Sequence, residues 1–193
     1  MESVPRPEWA FPIEVGAHVA SFCSALPEQP TREVLQALQG DSRLLGFLAR
    51  HRLGRQEFSG RVPDPTWLGS YDTKTHEVVV NALRSPGTYG KKFFPPEIEA
   101  VSFAGRNLVE AMQRTLYHEI GHHLLELAAF DEIRQIDRLR RTRAIPISQR
   151  ATEGVFEYFS ETFSACRFED SLADRDPEGY DMVEHILRLL WKR

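Results

Sequence analysis

The chain has 193 residues, 41% of them hydrophobic and 27% charged, which is enough to bury one sizeable core. A formal net charge of −4 argues against general nucleic-acid binding. Two cysteines cannot define a disulfide framework, and no apolar run is long enough for a membrane span.

Met1 to Pro12 carries prolines and charges without an apolar run, so no secretion signal is visible and a cytoplasmic location is expected. Ile13 to Leu26, Thr31 to Gln39 and Asp41 to Arg52 are predicted as helices, with Thr31 and Asp41 as caps and Pro27 and Pro30 as breaks. Together they make an expected helical N-terminal lobe, residues 1–60, which would pack against the rest of the chain, 61–193, or bind a regulatory protein partner. Trp67–Tyr71 and Glu77–Asn81, joined by Asp72–His76, are predicted to form a hairpin, with His76 solvated in its turn. Ser85 to Pro96, with Pro86, Gly87, Gly90, Pro95 and Pro96 around Tyr89, Phe93 and Phe94, is read as a connecting loop.

A long helix is predicted from Asn107, as its cap, to Ala129. Val109, Met112, Leu116, Ile120, Leu124 and Leu127 form one apolar sector. His118 and His122 fall nearly opposite, with Ala111, Thr115, Leu125 and Ala129, so that side is expected to wall a cleft. In His118-Glu119-Ile120-Gly121-His122 the spacing of four turns the second imidazole through about 400°, back almost in line with the first. Two imidazoles so placed can hold one zinc ion, and Glu119 can reach a water bound beside them. His123 projects toward the flank of the apolar sector and is read as packed. Gly121 costs about 1 kcal/mol of helix propensity relative to alanine, which suits a close approach of another backbone.

The arginines from Arg134 to Arg150 are read as a solvated helix and loop. Downstream, Glu153 to Cys166 has Phe156, Phe159, Phe163 and Cys166 at helical spacing on an apolar face, so Cys166 is expected to be buried. Glu157, Glu161 and Ser164 share the opposite face. Two carboxylates four apart fit a division of labour, one binding the metal and the other fixing the tautomer of a histidine. Position alone does not say which does which.

Glu157-Tyr158-Phe159-Ser160-Glu161-Thr162-Phe163-Ser164, following the histidine motif, resembles the zinc peptidase domain of anthrax lethal factor and its relatives, within the glutamate-zincin clan. The resemblance runs from about Trp67 to the C-terminus and extends loosely to the tail, where Asp176-Pro177-Glu178-Gly179-Tyr180 opens a last helix. It implies His118, His122 and Glu157 as zinc ligands, Glu119 as general base and Glu161 as the orienting carboxylate. It also implies a strand beside the cleft, here Val78, Val79 and Val80, that pairs with extended substrate. Where that family has a catalytic tyrosine ahead of the ligand glutamate, this chain has Arg150. The small peptidases that cleave phage repressors or act in radiation response are similar to a lesser degree, since they usually carry alanine-asparagine where this chain has Ser160-Glu161.

The expected architecture is thus α+β: a small zincin-like domain with an antiparallel hairpin at a sheet edge, preceded by the helical lobe. The expected function is zinc-dependent hydrolysis of peptide bonds in a protein or peptide substrate, with Zn2+ as cofactor and neither membrane nor nucleic acid as partner. Tyr71, Tyr89, Tyr158, Arg143 and Arg150 are the candidate donors to the oxyanion. The alternative is a non-catalytic, regulatory zinc-binding interaction module, in which His123 or a cysteine would fill the fourth metal position.

Overall fold

The computed structural model describes residues 8–15, 18–25, 28–51, 53–64, 67–82, 108–142, 147–148, 150–168 and 172–192. The Ser85–Pro96 loop, the cap Asn107 and the candidate donors Tyr89 and Arg143 lie outside them. The chain is α+β and divides into two compact units, the first holding the described residues up to 82 together with 108–116, the second the described residues from Tyr117 onward.

The first unit is built on a five-stranded mixed sheet. β1 (Trp9–Val15) and β2 (His18–Ser24) form an antiparallel pair, β3 (Gln56–Ser59) runs parallel to β2, and β4 (Gly69–Asp72) and β5 (Glu77–Asn81) form the hairpin. The order across the sheet is β1-β2-β3-β5-β4. Two helices, α1 (Glu28–Gln39) and α2 (Ser42–Arg50), pack on each other, and α2 packs on β1 and β2. Val34, Leu38, Leu44, Phe47 and Leu48 of the helices are buried, as are Phe22, Phe58, Val78 and Val80 of the sheet. Asp41 caps α2 as expected, its side chain accepting from the Leu44 N–H at 3.0 Å.

Three expectations for this unit are corrected. Ile13 to Leu26 is not a helix, because β1 and β2 pair along their length from Trp9↔Ser24 to Val15↔His18, so the N-terminal part is not a helical lobe. The division expected near Gly60 falls between β3 and β4 of one sheet. Thr31 does not cap α1: it lies inside the helix, buried, and its hydroxyl donates to Ser24 Oγ at 2.7 Å, while Pro30 sits in the first turn, where a missing N–H costs no helical bond.

The strand Val78–Val80 is likewise not a sheet edge. Val78 pairs with Gln56 on one side and Tyr71 on the other, Val79 with Glu57 and Ser70, and Val80 with Phe58 and Gly69. Its backbone groups are spent on two neighbours, so an added substrate strand has nothing there to pair with. His76 holds φ 55° at the end of the hairpin turn, and its Nδ1 lies 2.7 Å from the Tyr71 hydroxyl rather than standing in open solvent.

The second unit is helical. α3 (Leu108–Glu126) contains the boundary between units, at Leu116/Tyr117. α4 (Phe130–Thr142), a short 3-10 turn (Arg150–Thr152), α5 (Val155–Phe168), α6 (Leu172–Arg175) and α7 (Pro177–Leu190) follow. Asp176 caps α7, accepting from the Gly179 N–H at 2.7 Å, and Pro177 stands in the first turn. α5 packs against α4, α6 and α7. The core joins Tyr117, Ile120 and Leu124 of α3 to Phe159 and Phe163 of α5 and Val183, Ile186 and Leu187 of α7. No described helix is long and apolar enough to cross a membrane.

Candidate metal centre

The two helices that carry the histidines and glutamates approach closely because α3 has glycine where they meet. A Cβ added at Gly121 would lie 2.8 Å from Ser160 Cα and 3.0 Å from Ser160 Oγ, closer than carbon and oxygen atoms pack. Gly121 stands between His118 and His122, and Ser160 between Glu157 and Glu161. The close approach inferred for Gly121 is therefore an approach of α5, and it brings the four side chains together.

His118 Nε2 and His122 Nε2 are 3.1 Å apart. Glu157 reaches both, with Oε2 at 3.2 Å from His118 Nε2 and Oε1 at 3.5 Å from His122 Nε2. On the other side of the first imidazole, Nδ1 lies 3.1 Å from Glu161 Oε1. Glu119 also belongs to the cluster, with ligand atoms of His118, Glu119 and His122 all within 4.8 Å of one another. Among the described residues, neither His123 nor Cys166 joins the ligand groups around His118. His123 is fully buried, as the helical wheel suggests.

A tetrahedral zinc ion with bonds of about 2.0–2.2 Å to nitrogen and oxygen requires neighbouring ligand atoms about 3.3–3.6 Å apart. The two Nε2 atoms at 3.1 Å, and the two Glu157 oxygens at 3.2 Å from His118 Nε2 and 3.5 Å from His122 Nε2, lie close to that spacing. Glu161 on the far ring nitrogen of His118 is placed to fix the tautomer that presents Nε2. The donor set and its dimensions fit zinc.

The electrostatics point the same way. Burial disfavours a charge on His118, but the hydrogen bonds its ring donates to Glu157 and Glu161 outweigh it and push the imidazole up to about 10. Burial works against a charge on Glu157 too, yet its hydrogen bonds to His118 and Arg150 hold its carboxyl well below the usual range. Burial, then the charge on His118, pulls His122 down to about 3, so its ring is neutral and has a lone pair to offer. Glu157 is thus held as a carboxylate against the two Nε2 atoms, an arrangement that suits a divalent cation. Burial also pushes Glu119 up to about 7, only partly offset by His118 and Arg150, so this carboxylate is poised to exchange a proton near neutrality.

The helix face bearing the histidines is not the open cleft wall expected of it. Thr115, His118, Glu119 and Leu125 are all buried, as is α5 from Tyr158 to Ala165. The centre is closed around Glu161 and His118 and opens toward His122, Glu157 and Arg150, whose side chains are 14%, 19% and 45% exposed. The phenylalanine face is also amended: Phe159 and Phe163 are in the core, while Phe156 is exposed and Cys166 only partly buried. Burial still pushes the Cys166 thiol up to about 12.

Arg150 is the residue whose part sequence reasoning left open. Its Nε donates to Glu157 Oε2 at 2.7 Å and its Nη2 to Oε1 at 3.4 Å. The sequence signal was its spacing ahead of Glu157, but only the 3-10 turn brings it back onto that carboxylate. The other described donor candidates are engaged elsewhere: Tyr71 lies in the hairpin against His76, and Tyr158 is buried in the core. A scan against models of known protein families finds no match to this chain, and a search of curated proteins finds none either.

Proposed function

We propose that this protein is a zinc-dependent metallopeptidase that hydrolyses peptide bonds in a protein or peptide substrate. The observation that carries the reading is the convergence of His118 Nε2, His122 Nε2 and the Glu157 carboxylate, with the two ring nitrogens 3.1 Å apart and one Glu157 oxygen at 3.2 Å from the first and the other at 3.5 Å from the second, near the spacing of ligands around one zinc ion. Zinc bound there would polarise a substrate carbonyl and activate a water.

The chain's own residues have separate tasks in that reaction. His118, His122 and Glu157 would hold the metal, and Glu161 would orient the His118 ring through Nδ1. Glu119, its carboxyl raised to about 7, takes a proton from the attacking water and later delivers it to the departing amine. The buried surroundings of Glu119 keep bulk water from competing for that proton. The resemblance to the lethal-factor peptidase domain assigns the same roles to the same positions, and the absence of a fourth protein ligand such as His123 or Cys166 around His118, among the described residues, favours an enzyme over a structural zinc module.

Glu119→Gln tests the reading, because the amide fills the same volume but cannot accept the proton. The variant is expected to hold one zinc per chain by metal analysis while cleavage of a peptide library falls by roughly 100-fold to 10,000-fold. Cleavage close to the parent's would remove the mechanism.

A further inference from the structure

Arg150 stands at the exposed rim of the centre with its guanidinium laid along one carboxylate, Nε and Nη2 facing the two oxygens of Glu157 at 2.7 and 3.4 Å. Among the described residues the hydrogen bonds of this guanidinium go to Glu157 alone. A guanidinium has five N–H donors, so this contact leaves others for a second acceptor. Only the width of the Glu157 carboxylate separates Arg150 from the Nε2 atoms of both histidines.

Its backbone is held as firmly as its head group. Arg150 opens the 3-10 turn, in which Ala151 is fully buried and donates its N–H to the buried Ser148 Oγ at 3.0 Å. The Glu153 N–H donates to the Arg150 carbonyl at 3.0 Å, and Arg140 donates to the Thr152 carbonyl at 3.1 Å. A cationic fork fixed at both ends, on the open side of a metal-ligand triangle, costs little reorganisation when an anion forms beside it. Tyr158, the neighbouring candidate, is about 100° further round α5 and 1% exposed.

We propose that Arg150 is a catalytic residue that donates to the oxyanion of the tetrahedral intermediate; this rests on the peptidase reading above. When the water oxygen bonds to the peptide carbonyl carbon, its proton goes to Glu119 and the carbonyl π pair moves onto oxygen, where Arg150 meets the new negative charge. When that pair returns, the C–N bond breaks and the amine leaves with the proton from Glu119. The same guanidinium would bind other small anions at the centre, so its role can be read without turnover.

Arg150→Ala and Arg150→Lys, made in the full chain, are loaded with cobalt and titrated with inorganic phosphate and with imidazole, following the visible spectrum. Phosphate is expected to bind at least about tenfold more weakly to Arg150→Ala, with partial recovery in Arg150→Lys, while neutral imidazole binds all three alike. In the zinc form, kcat of Arg150→Ala should fall roughly 100-fold to 1,000-fold with KM little changed. Parent-like phosphate binding and kcat overturn the proposal, as does a parallel loss of phosphate and imidazole, which marks a structural part only. If those results come while Glu119→Gln still abolishes cleavage, the inference about Arg150 fails alone. A parent that neither binds zinc nor cleaves peptides defeats both.

Discussion

Replacing Gly121 with alanine tests the arrangement on which the centre depends. The new methyl carbon would sit 2.8 Å from Ser160 Cα, and the obstacle is backbone, which no rotamer change can move aside. Carbon atoms pack at about 3.5–4.0 Å, so α3 and α5 must separate by roughly 0.7–1.2 Å at this point. Overpacking of this kind costs about 1–3 kcal/mol, and alanine returns about 1 kcal/mol of helix propensity. The net loss is about 0–2 kcal/mol, or up to roughly 8 °C in Tm for a chain of this size. The metal is more sensitive than the fold, since ligand distances tolerate only about 0.2 Å of error. Zinc affinity by chelator competition is therefore expected to fall at least about tenfold. Gly154→Ala is the control: nothing lies within 4 Å of the added methyl, and its stability should stay within about 0.5 kcal/mol of the parent's. A Gly121→Ala protein with parent-like Tm and zinc dissociation constant would refute the close approach of the two helices.

Removing the two glutamates in turn should separate ligand from orienting group. Glu157→Ala is expected to be nearly metal-free under chelator competition, whereas Glu161→Ala should keep zinc with affinity reduced roughly 10-fold to 100-fold; the reverse order would move the ligand one turn along α5. Zinc uptake should also depend on pH in a definite direction. In chelator-treated protein His118 is held up to about 10 and must lose its proton to bind metal, so zinc affinity should rise with pH by about tenfold per unit between pH 7 and 10. Calorimetry in buffers of different ionisation enthalpy should find about one proton released per zinc at pH 8. No release there would show that His118 is already neutral in the metal-free protein.

Much of the second unit was legible in the sequence because its signals are local. The i, i+4 spacing of His118 and His122, the apolar positions around them and the Asp176-Pro177 cap each concern a few consecutive residues, and a helix forms from such contacts. The spacing of Glu157 and Glu161 suggested one glutamate on a metal and the other on a histidine ring nitrogen, and the structure places Glu161 3.1 Å from His118 Nδ1. The N-terminal part read wrongly for the opposite reason. Phe22 and Cys23 are compatible with a buried helix face or a strand, and what decides between them is pairing with Phe11 and Ala10 on one side and Gln56 and Glu57 on the other. The apolar run at Val78–Val80 correctly marked a strand, but whether it stood at the edge depended on β3, which joins it from a distant stretch of chain.

By itself, then, the sequence determined which residues could serve as ligands, which helices carry them, and that the hairpin exists, since each follows from spacing along one element or from one turn. Tertiary structure decided the rest. It buried most of the histidine face, turned Arg150 back onto Glu157 through the buried Ala151, and placed Gly121 against Ser160 so that four side chains meet. Charges that would titrate ordinarily on isolated helices are shifted here because burial removes water and leaves them to answer one another across two helices, a coupling that depends on separation in space and not on distance along the chain.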